Sequence, residues 1–514
     1  VHVRAGHVTN TLQGDHRGLR QLITSEMQAE INRPTMMRWT RNDTAFVLIL
    51  ALTALGAGYL YHGFAFDDAF ITYRYARNIV EGQGFTYNPG QWVLGTTTPL
   101  YTLVLATLGL LWPDFPTLSH VISTVALAGC GIFVYLLGRE LNQRMIGFTA
   151  SLILITNPLV LSTFGMETMF LIMLLMAAVT SYTAKYLNWA SLALALATVT
   201  RADATLMVAV LGGDYILQRR RLPLRQIGLY LAVTLPWFAF SLLAFGSPLP
   251  NSVAAKVSAA SVPGAYSFLK GILLWGAVYQ RRSGLYILFL PLSLLGIVQL
   301  RHAGRAWRLI VVWAALYVIA YTLLGAPTYA WYYAPLVSAG AITVALGLLF
   351  LFNFFHLLAD RMRLTATTPI LLTGLLLVLI IYGQTSSAIW SHQGQMLEPR
   401  VRLYQTASDW FLANSDEDAS IAALEIGALG YYSRRRMIDL YGLVTPELVP
   451  YLSHGVEYTI EEALQRYEPD FIVDVPTESW VPIIATDWFK AAYRPVARIS
   501  DQGVGPLTIY QRQD

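Results

Sequence analysis

The stretch FDDAFITYRYARNIVEGQGF, residues 66–85, places two adjacent carboxylates, Asp67 and Asp68, directly after a long apolar run. Ionisable side chains at a membrane edge are costly, and they usually face a cavity or a partner and mark function. Read as a helix, the stretch repeats Asp67, Arg74 and Asn78 along one face. We expect this amphipathic helix to lie on the outer leaflet, with Asp67 and Arg74 directed toward a shared pocket.

The whole chain has the composition of a polytopic membrane protein. Of its 514 residues, 55% are hydrophobic and 13% are charged, and the mean hydropathy is +0.48. These values exclude an ordinary soluble protein. The net charge of +4 is small, and the basic residues lie between apolar runs, so they report topology rather than nucleic-acid binding. Cys130 is the only cysteine, which excludes a disulfide within the chain.

Eleven apolar runs are candidates for membrane helices. They lie near residues 44–62, 117–138, 146–163, 168–183, 188–200, 203–218, 226–246, 282–300, 309–325, 331–356 and 366–385. The arginine-rich loops around them can all be cytoplasmic at once, which predicts a multi-pass inner (plasma) membrane protein with a cytoplasmic N-terminus. Residues 98–112 are apolar but short, and we expect them to be re-entrant or interfacial.

The sequence predicts three parts of the chain. Residues 1–43 are a cytoplasmic extension that we expect to be disordered in part. Residues 44–385 are the transmembrane module, with an outer-face loop at 63–97. Residues 386–514 are a soluble extracytoplasmic α/β domain, because ASIAALEIGALGYYS, RRRMIDLYGL and TIEEALQRYEPDFIVDV alternate strand and helix patterns. The glycines of EIGALGYY match a phosphate loop only weakly, and a plain turn is favoured.

If the arginine-rich loops are cytoplasmic, the alternation of membrane spans places further ionisable, amide and aromatic residues on the outer face. They are Glu167 in FGMETMF, Arg201 and Asp203 in TRADA, Asn251 and Lys256 in SPLPNSVAAK, and Trp331, Tyr332 and Tyr333 in AWYYAP. Each type has a structural explanation when taken alone. Aspartates cap helices, arginine and lysine anchor at the interface, glutamate pairs with arginine, and aromatic rings form interfacial belts. Their convergence on one side favours a site.

A carboxylate near a lipid boundary is suited to act as a general base, because partial desolvation raises its proton affinity. Arginine binds phosphate through two parallel hydrogen bonds. A base beside phosphate-binding cations at an outer membrane face fits the transfer of a sugar from a lipid phosphate to an acceptor hydroxyl. The cations would stabilise the departing lipid phosphate, and aromatic rings would stack on the sugars.

Six motifs occur in an order that carries a family resemblance: DDAFITYRYARNIVEGQGFTYNPGQWVLGTTTPLY (67–101), FGMETMF, TRADA, GSPLPNSVAAK, AWYYAP and IGALGYYSRRRMIDLYGLVTPEL. Over roughly residues 40–480 the chain resembles GT-C fold glycosyltransferases that use polyprenyl-phosphate sugars. It most resembles the mycobacterial terminal β-(1→2)-arabinofuranosyltransferase family and its bacterial relatives. Two motifs depart from the common pattern: VLGTTTPL has Leu94 and Thr96 in place of glutamate and tyrosine, and TRADA replaces TRPDG, so the sugar and the acceptor stay open.

The resemblance implies an integral-membrane, inverting glycosyltransferase of the cell envelope, with about 11 transmembrane helices and its site beneath the soluble domain. Its donor would be a polyprenyl-phosphate sugar, and its acceptor a surface glycan, lipid or protein. The catalytic aspartate maps to Asp67 or Asp68, with Asp67 preferred as the base. The expected donor-phosphate residues are Arg201, Lys256 and Arg74, and the expected substrate-binding residues are Glu167, Asp203, Asn251, Trp331, Tyr332 and Tyr333.

Two other functions remain as alternatives. A secondary transporter would show inverted repeats and charged residues near mid-membrane, whereas no repeat stands out here and the charges lie at one edge. The second alternative is a non-catalytic membrane receptor on the same scaffold. Asp67 and Asp68 have the chemistry to hold a divalent cation, but two adjacent carboxylates without a nearby histidine do not specify one, so a metal cofactor stays open.

Overall fold

The computed structural model describes residues 39–252, 255, 268–392, 399–474, 479–501 and 504–513. The N-terminal extension up to residue 38 and the expected phosphate-binding Lys256 therefore lie outside the described residues. The described chain is a bundle of apolar helices followed by a small α/β domain.

The bundle contains helices of very different lengths. In chain order they are α1 (Arg41–Leu60), α2 (Asp67–Val80), α3 (Pro99–Gly109), α4 (Phe115–Glu140), α5 (Arg144–Ile155), α6 (Pro158–Leu161), α7 (Thr168–Thr183), α8 (Leu187–Thr200), α9 (Thr205–Arg219), α10 (Leu224–Phe245), α11 (Phe268–Arg282), α12 (Phe289–Gln299), α13 (Arg305–Leu323), α14 (Ala330–Tyr333), α15 (Val337–Met362) and α16 (Thr368–His392). Short 3₁₀ segments join some of them at Ala202–Ala204, Gly284–Leu288 and Ala334–Leu336.

Six helical segments among the described residues are long and apolar enough to cross a membrane. They are α1, α4, α10, α13, the continuous run Ala330–Met362, and Thr368–Ile389 within α16. Large apolar side chains on them are exposed, among them Leu243 at 86% and Leu371 at 69%, as expected of surfaces that face lipid. Five further apolar helices have 10–17 residues, too short at about 1.5 Å per residue to span roughly 30 Å of hydrocarbon on their own.

The C-terminal part folds as an α/β domain, as its sequence predicts. Its helices are α17 (Pro399–Asn414), α18 (Gly427–Ser433), α19 (Val456–Tyr467), α20 (Val481–Ile484) and α21 (Asp487–Ala492), with a 3₁₀ segment at Pro446–His454. Its strands are β1 (Ser420–Ala423), β2 (Arg436–Asp439), β3 (Phe471–Asp474), β4 (Tyr493–Asp501) and β5 (Val504–Arg512). The sheet order is β2-β1-β3-β5-β4, in which β1 runs parallel to β2 and β3 while β5 is antiparallel to β3 and β4.

Helix α2 does not lie on a membrane surface, and this corrects the expectation from its amphipathic pattern. Every residue from Ala69 to Asn78 is buried, because the helix packs between α3 and α4 on one side and α18 of the C-terminal domain on the other. The face with Arg74 and Asn78 meets the loop at 86–88 and the C-terminal domain. The polar face is therefore covered by protein rather than by water or head groups.

Helices α7, α8, α9 and α13 run between the same two ends of the bundle. At one end, Glu167 precedes α7, Arg201 follows α8 and Asp203 precedes α9, and the first two contact each other beside Tyr321 of α13. At the other end lie Thr183, Leu187, Arg219 and Arg305, the opposite termini of those helices. A 16-residue helix spans about 24 Å, so the two ends are well separated.

Candidate active site

The two adjacent aspartates at the start of α2 enter different environments. The Asp67 carboxylate accepts hydrogen bonds from the backbone N–H groups of Gly427 (2.9 Å) and Ala428 (2.7 Å). Those N–H groups begin α18, so Asp67 caps a helix of the C-terminal domain, at the end where a negative charge is stabilised. Burial, together with the nearby Glu425 carboxylate, raises the pKa of Asp67 well above its ordinary value.

Asp68 instead lines a polar cleft at the boundary between the bundle and the C-terminal domain. The cleft, together with the open space at its mouth, has a volume of about 460 Å³. Segments that are far apart in sequence form its walls: Asp68, Ile71, Thr72, Gly95, Thr96, Thr97, Thr98, Met166, Glu167, Arg201, Ser252, Trp331, Tyr332 and Leu443. The structure therefore brings together five of the residues that the sequence predicted, namely Asp68, Glu167, Arg201, Trp331 and Tyr332.

Arg201 is the buried cation of this cleft. Its guanidinium lies 2.6 Å from Asp203 Oδ2 and 3.4 Å from Glu167 Oε1, and it also donates to the hydroxyl of Tyr321 at 3.0 Å. Tyr321 donates in turn to Asp203 Oδ2 at 2.6 Å. Asp203 does not line the cleft; it fixes the orientation of Arg201, because a buried guanidinium without such partners would be strongly destabilising.

A cluster of threonine hydroxyls forms the wall beside Asp68. The Oγ1 atoms of Thr72, Thr96 and Thr98 lie 3.1–3.3 Å from one another, and Thr97 lines the cleft between the last two. Sequence reasoning missed this cluster as part of the site. The signal was present in the run GTTTP, where Thr96 departs from the family pattern, but its partner Thr72 becomes visible only once α2 and the loop are packed together.

The aromatic residues of AWYYAP divide between the cleft and the interior. Trp331 and Tyr332 line the cleft. Tyr333 is 3% exposed, stacks on Phe268 with ring centroids 4.3 Å apart and donates to the Phe268 carbonyl at 2.8 Å. The expected contact of Tyr333 with substrate is therefore not supported, since its ring and hydroxyl are both used in packing.

Two more expected binding residues hold the C-terminal domain instead of facing the cleft. The guanidinium of Arg74 is 1% exposed and donates to the carbonyls of Tyr87, Gly430 and Arg435, each at 2.8 Å. The Asn251 amide donates to the carbonyls of Gly442 (2.5 Å) and Leu443 (3.1 Å). These contacts correct the expected roles, because donors engaged by buried carbonyls are not presented to a ligand.

The glycines of EIGALGYY serve close packing. A Cβ atom at Gly427 would lie 1.9 Å from the Asp67 carbonyl oxygen, and one at Gly430 would lie 2.0 Å from the Tyr87 hydroxyl. Only glycine therefore allows α18 to approach α2 closely enough for the bonds from Asp67 and Arg74. The preference for a structural role over a phosphate loop agrees with this geometry.

A row of aromatic rings connects an apolar groove with the cleft. It is lined by residues of α1, α5, α6 and α16, including Leu60, Tyr61, Ile155 and Ile389, and has a volume of about 840 Å³ to its mouth. A series of ring contacts leads from it toward the cleft: Tyr61 to Phe64, Phe64 to Phe66, and Phe66 to Trp331, with centroids 5.8, 5.4 and 5.7 Å apart. A continuous series of ring contacts thus connects the apolar groove with the polar cleft.

The described residues contain no group of three or more His, Cys, Asp or Glu side chains arranged to hold a metal ion. Asp68 and Glu167 are the two carboxylates that line the cleft. The divalent cation that the sequence left open therefore receives no ligand set from these residues.

Two solved membrane-protein structures match most of this chain. The oligosaccharyltransferase AglB from Archaeoglobus fulgidus, solved with an inhibitory peptide and a dolichol-phosphate, matches with a TM-score of 0.61 at 12% identity, over 92% of this chain and 74% of that one. ArnT from Cupriavidus metallidurans, bound to undecaprenyl phosphate, matches with a TM-score of 0.58 at 14% identity, over 91% of this chain and 98% of that one. The chain has the GT-C fold.

The GT-C fold confirms the predicted class, a polytopic helical membrane protein with a C-terminal α/β domain, while the expected count of 11 spans is not established. A family model described as a domain of unknown function (DUF8728) matches residues 389–511. No curated protein sequence matches the chain. The finer resemblance to arabinofuranosyltransferases stays a prediction.

Proposed function

We propose that this GT-C chain is a glycosyltransferase that moves a sugar from a polyprenyl-phosphate donor to an acceptor hydroxyl. The observation that carries the proposal is the cleft in which Asp68, Glu167, Arg201, Trp331 and Tyr332 converge from separate segments beneath the α/β domain. A carboxylate, a buried cation and aromatic rings in one polar cleft are the groups that this transfer requires.

Asp68 is the base in this proposal, and Asp67 is the residue that seats the C-terminal domain. The Asp68 carboxylate takes the proton of the acceptor hydroxyl as its oxygen forms a bond to the anomeric carbon. The bond from that carbon to the phosphate oxygen breaks, and its electron pair leaves with the lipid phosphate. Arg201 and the threonine hydroxyls at 96–98 donate hydrogen bonds to the phosphate as charge develops on it. Lys256 stays a candidate for the same role.

A lipid-linked donor is supported by the apolar groove that the row of aromatic rings connects with the cleft. A polyprenyl chain would lie among Leu60, Ile155 and Ile389, and its phosphate would reach the cleft past Phe66 and Trp331. AglB and ArnT were solved with dolichol-phosphate and undecaprenyl phosphate respectively. The C-terminal domain covers the cleft through Leu443, and we place that side at the extracytoplasmic face of the inner membrane, where the acceptor is a surface glycan, lipid or protein.

The test compares Asp68→Asn with Asp67→Asn in membranes supplied with a panel of polyprenyl-phosphate monosaccharides. Removing a general base costs about 10²–10⁴ in rate, so Asp68→Asn should lose sugar transfer by that factor while keeping the wild-type melting temperature. Asp67→Asn should lower the melting temperature, because one of its two oxygens no longer accepts from the α18 N-terminus.

Asp418→Asn, at an exposed position of the C-terminal domain, is the matched control and should transfer sugar as the wild type does. Full activity of Asp68→Asn would remove the base assignment. Uptake of a solute with no transferred sugar would favour the transporter instead, and donor binding without turnover in the wild type would favour the receptor.

A further inference from the structure

A second cleft lies at the opposite end of the bundle from the candidate active site. It has a volume of about 990 Å³ to its mouth and is formed where α7, α8, α9 and α13 end or begin. Four cations line it: Lys185, Arg219, Arg221 and Arg305. Each of the four helices also reaches the active-site end, so the two clefts lie at opposite ends of the bundle.

A buried carboxylate organises this basic cleft. Asp214 is 6% exposed, and its Oδ1 lies 2.6 Å from Arg305 Nη2. Its Oδ2 accepts from the Tyr182 hydroxyl at 2.7 Å and from the Gln218 amide at 2.5 Å. Asp214 thereby fixes three side chains that line the cleft. The described residues that line it include four cations and no aspartate or glutamate.

The walls of the cleft also contain the apolar side chains Leu141, Leu187 and Leu309. An adjoining cleft shares Lys185 and Leu187 and adds Trp189 and Arg225. Trp189 is 65% exposed, and exposed tryptophan is typical of the level of lipid head groups. Four cations above apolar walls, at one end of a helix bundle, match a phosphate carried on an acyl chain better than a free ion.

We propose that this cleft binds the phosphate head group of an anionic glycerophospholipid in the leaflet opposite the active site. Arg219, Arg221 and Arg305 contact the phosphate, and Leu187 and Leu309 contact the first methylenes of the acyl chains. The proposal does not depend on glycosyl transfer, since none of these residues lies near the active-site cleft.

The experiment uses native mass spectrometry of the purified full chain in detergent, with phosphatidylglycerol or phosphatidylcholine added. A cation near the lipid surface contributes roughly a fivefold factor in affinity. We therefore expect Arg219→Gln or Arg221→Gln to weaken phosphatidylglycerol binding about fivefold and the double variant about 25-fold. The charge-retaining Arg219→Lys/Arg221→Lys should keep most of the affinity and shows that the fold is intact.

Arg361→Gln, on the exposed last turn of α15 at the same end of the bundle, is the matched control and should bind phosphatidylglycerol as the wild type does. Equal binding by the double glutamine variant would overturn the proposal, as would equal retention of phosphatidylcholine. A third arm adds inorganic phosphate: if it displaces phosphatidylglycerol at millimolar concentration, the cleft is a free-anion site and the lipid assignment is wrong.

Discussion

At the scale of single residues, neighbours in sequence have different tasks because they point to different partners. Asp67 and Asp68 are chemically identical and adjacent, yet the first meets two backbone N–H groups of α18 and the second lines the cleft. Tyr332 and Tyr333 divide in the same way between cleft and interior. Successive helical side chains lie about 100° apart, so residue type alone does not tell which of two neighbours is presented to a ligand.

Arg74 provides a residue-scale prediction. Its planar guanidinium serves three buried carbonyls and the Asn88 side chain at once, and it lies 4.2 Å from the centre of the Tyr87 ring. The single ammonium group of lysine cannot reproduce this planar arrangement of hydrogen-bond donors. Arg74→Lys should therefore leave buried carbonyls unsatisfied and cost about 3 kcal/mol or more of stability, seen as a lower melting temperature of the purified protein.

The control for Arg74 is Arg434→Lys, because the Arg434 side chain is 60% exposed and its partner Glu81 is also accessible. A surface pair of this kind should change stability by less than about 0.5 kcal/mol. A melting temperature of Arg74→Lys equal to that of Arg434→Lys would contradict the role given to Arg74.

At the scale of elements, hydrophobic pattern predicted which segments are helices and strands better than it predicted what covers them. The long apolar runs became α1, α4, α10, α13, α15 and α16, and three predicted strands became β1, β2 and β3. The hairpin β4–β5 was missed because Pro495 and a register shift interrupt the alternation of β4. The surroundings of α2 were predicted wrongly. Periodicity shows which side chains share a face of a helix, but not what packs on that face, and here α18 packs on it from more than 340 residues away in sequence.

The contact between α2 and α18 gives a prediction at this scale. Gly430→Ala places a methyl group 2.0 Å from the Tyr87 hydroxyl and 2.6 Å from Arg74 Nη1. The two helices must separate or the bonds to Arg74 must break, so we expect a loss of about 3 kcal/mol and a lower melting temperature.

Gly276→Ala in α11 is the matched control, since no atom lies within 4 Å of the added methyl group. That substitution should be neutral or stabilising by up to about 1 kcal/mol, because alanine favours a helix. Equal melting temperatures for the two variants would show that the helices do not approach as described.

The buried Asp439 at the end of β2 gives a prediction for pH dependence. Burial raises the pKa of Asp439 to about 6, and burial raises the pKa of Asp474 to about 6 as well. When the pKa of a carboxyl is higher in the folded state than in the unfolded state, the folded state keeps the proton up to a higher pH. The stability that each of these two groups contributes is therefore fully present below about pH 4 and is lost as pH rises to about 6, by up to roughly 3 kcal/mol for each group.

Asp439→Asn cannot titrate, so the loss of stability between about pH 4 and pH 7 should be smaller in this variant, as measured by melting temperature at each pH. It gives up one bond at Asp439 Oδ2, which accepts from the Val444 N–H, and so lowers stability at acidic pH. The exposed Asp418→Asn should leave the wild-type slope unchanged. An unchanged slope in Asp439→Asn would contradict the assignment.

At the scale of the whole molecule, the sequence predicted the fold class and several residues that meet in the cleft, but not the division of roles among them. Five of the eleven candidate site residues line the cleft, Asp203 supports one of them, and Lys256 lies outside the described residues. The sequence grouped these residues by assigning the loops between apolar runs to one side of the membrane, and that assignment stays a prediction. It could not separate cleft residues from those that hold the C-terminal domain, since both groups lie at the same end of the bundle.

Sidedness can be tested directly because Cys130 is fully buried. Two exposed positions are suited to a single introduced cysteine: Glu417→Cys in the C-terminal domain and Arg361→Cys at the end of α15. In intact cells we expect a membrane-impermeant maleimide to label the first and to reach the second only after the inner membrane is opened. The reverse pattern would invert the proposed topology, and the wild type serves as the unlabelled control.

The capping of α18 by Asp67 has a consequence for how this chain can be divided. Segment 427–443 depends on Asp67, Arg74, Asn88 and Asn251 for its bonds, and all four belong to the membrane module. A fragment cut near residue 389 would expose orphaned amides and carbonyls, so it should be a poor candidate for separate expression. A chimera that grafts this tail onto another scaffold would need those four side chains transplanted with it.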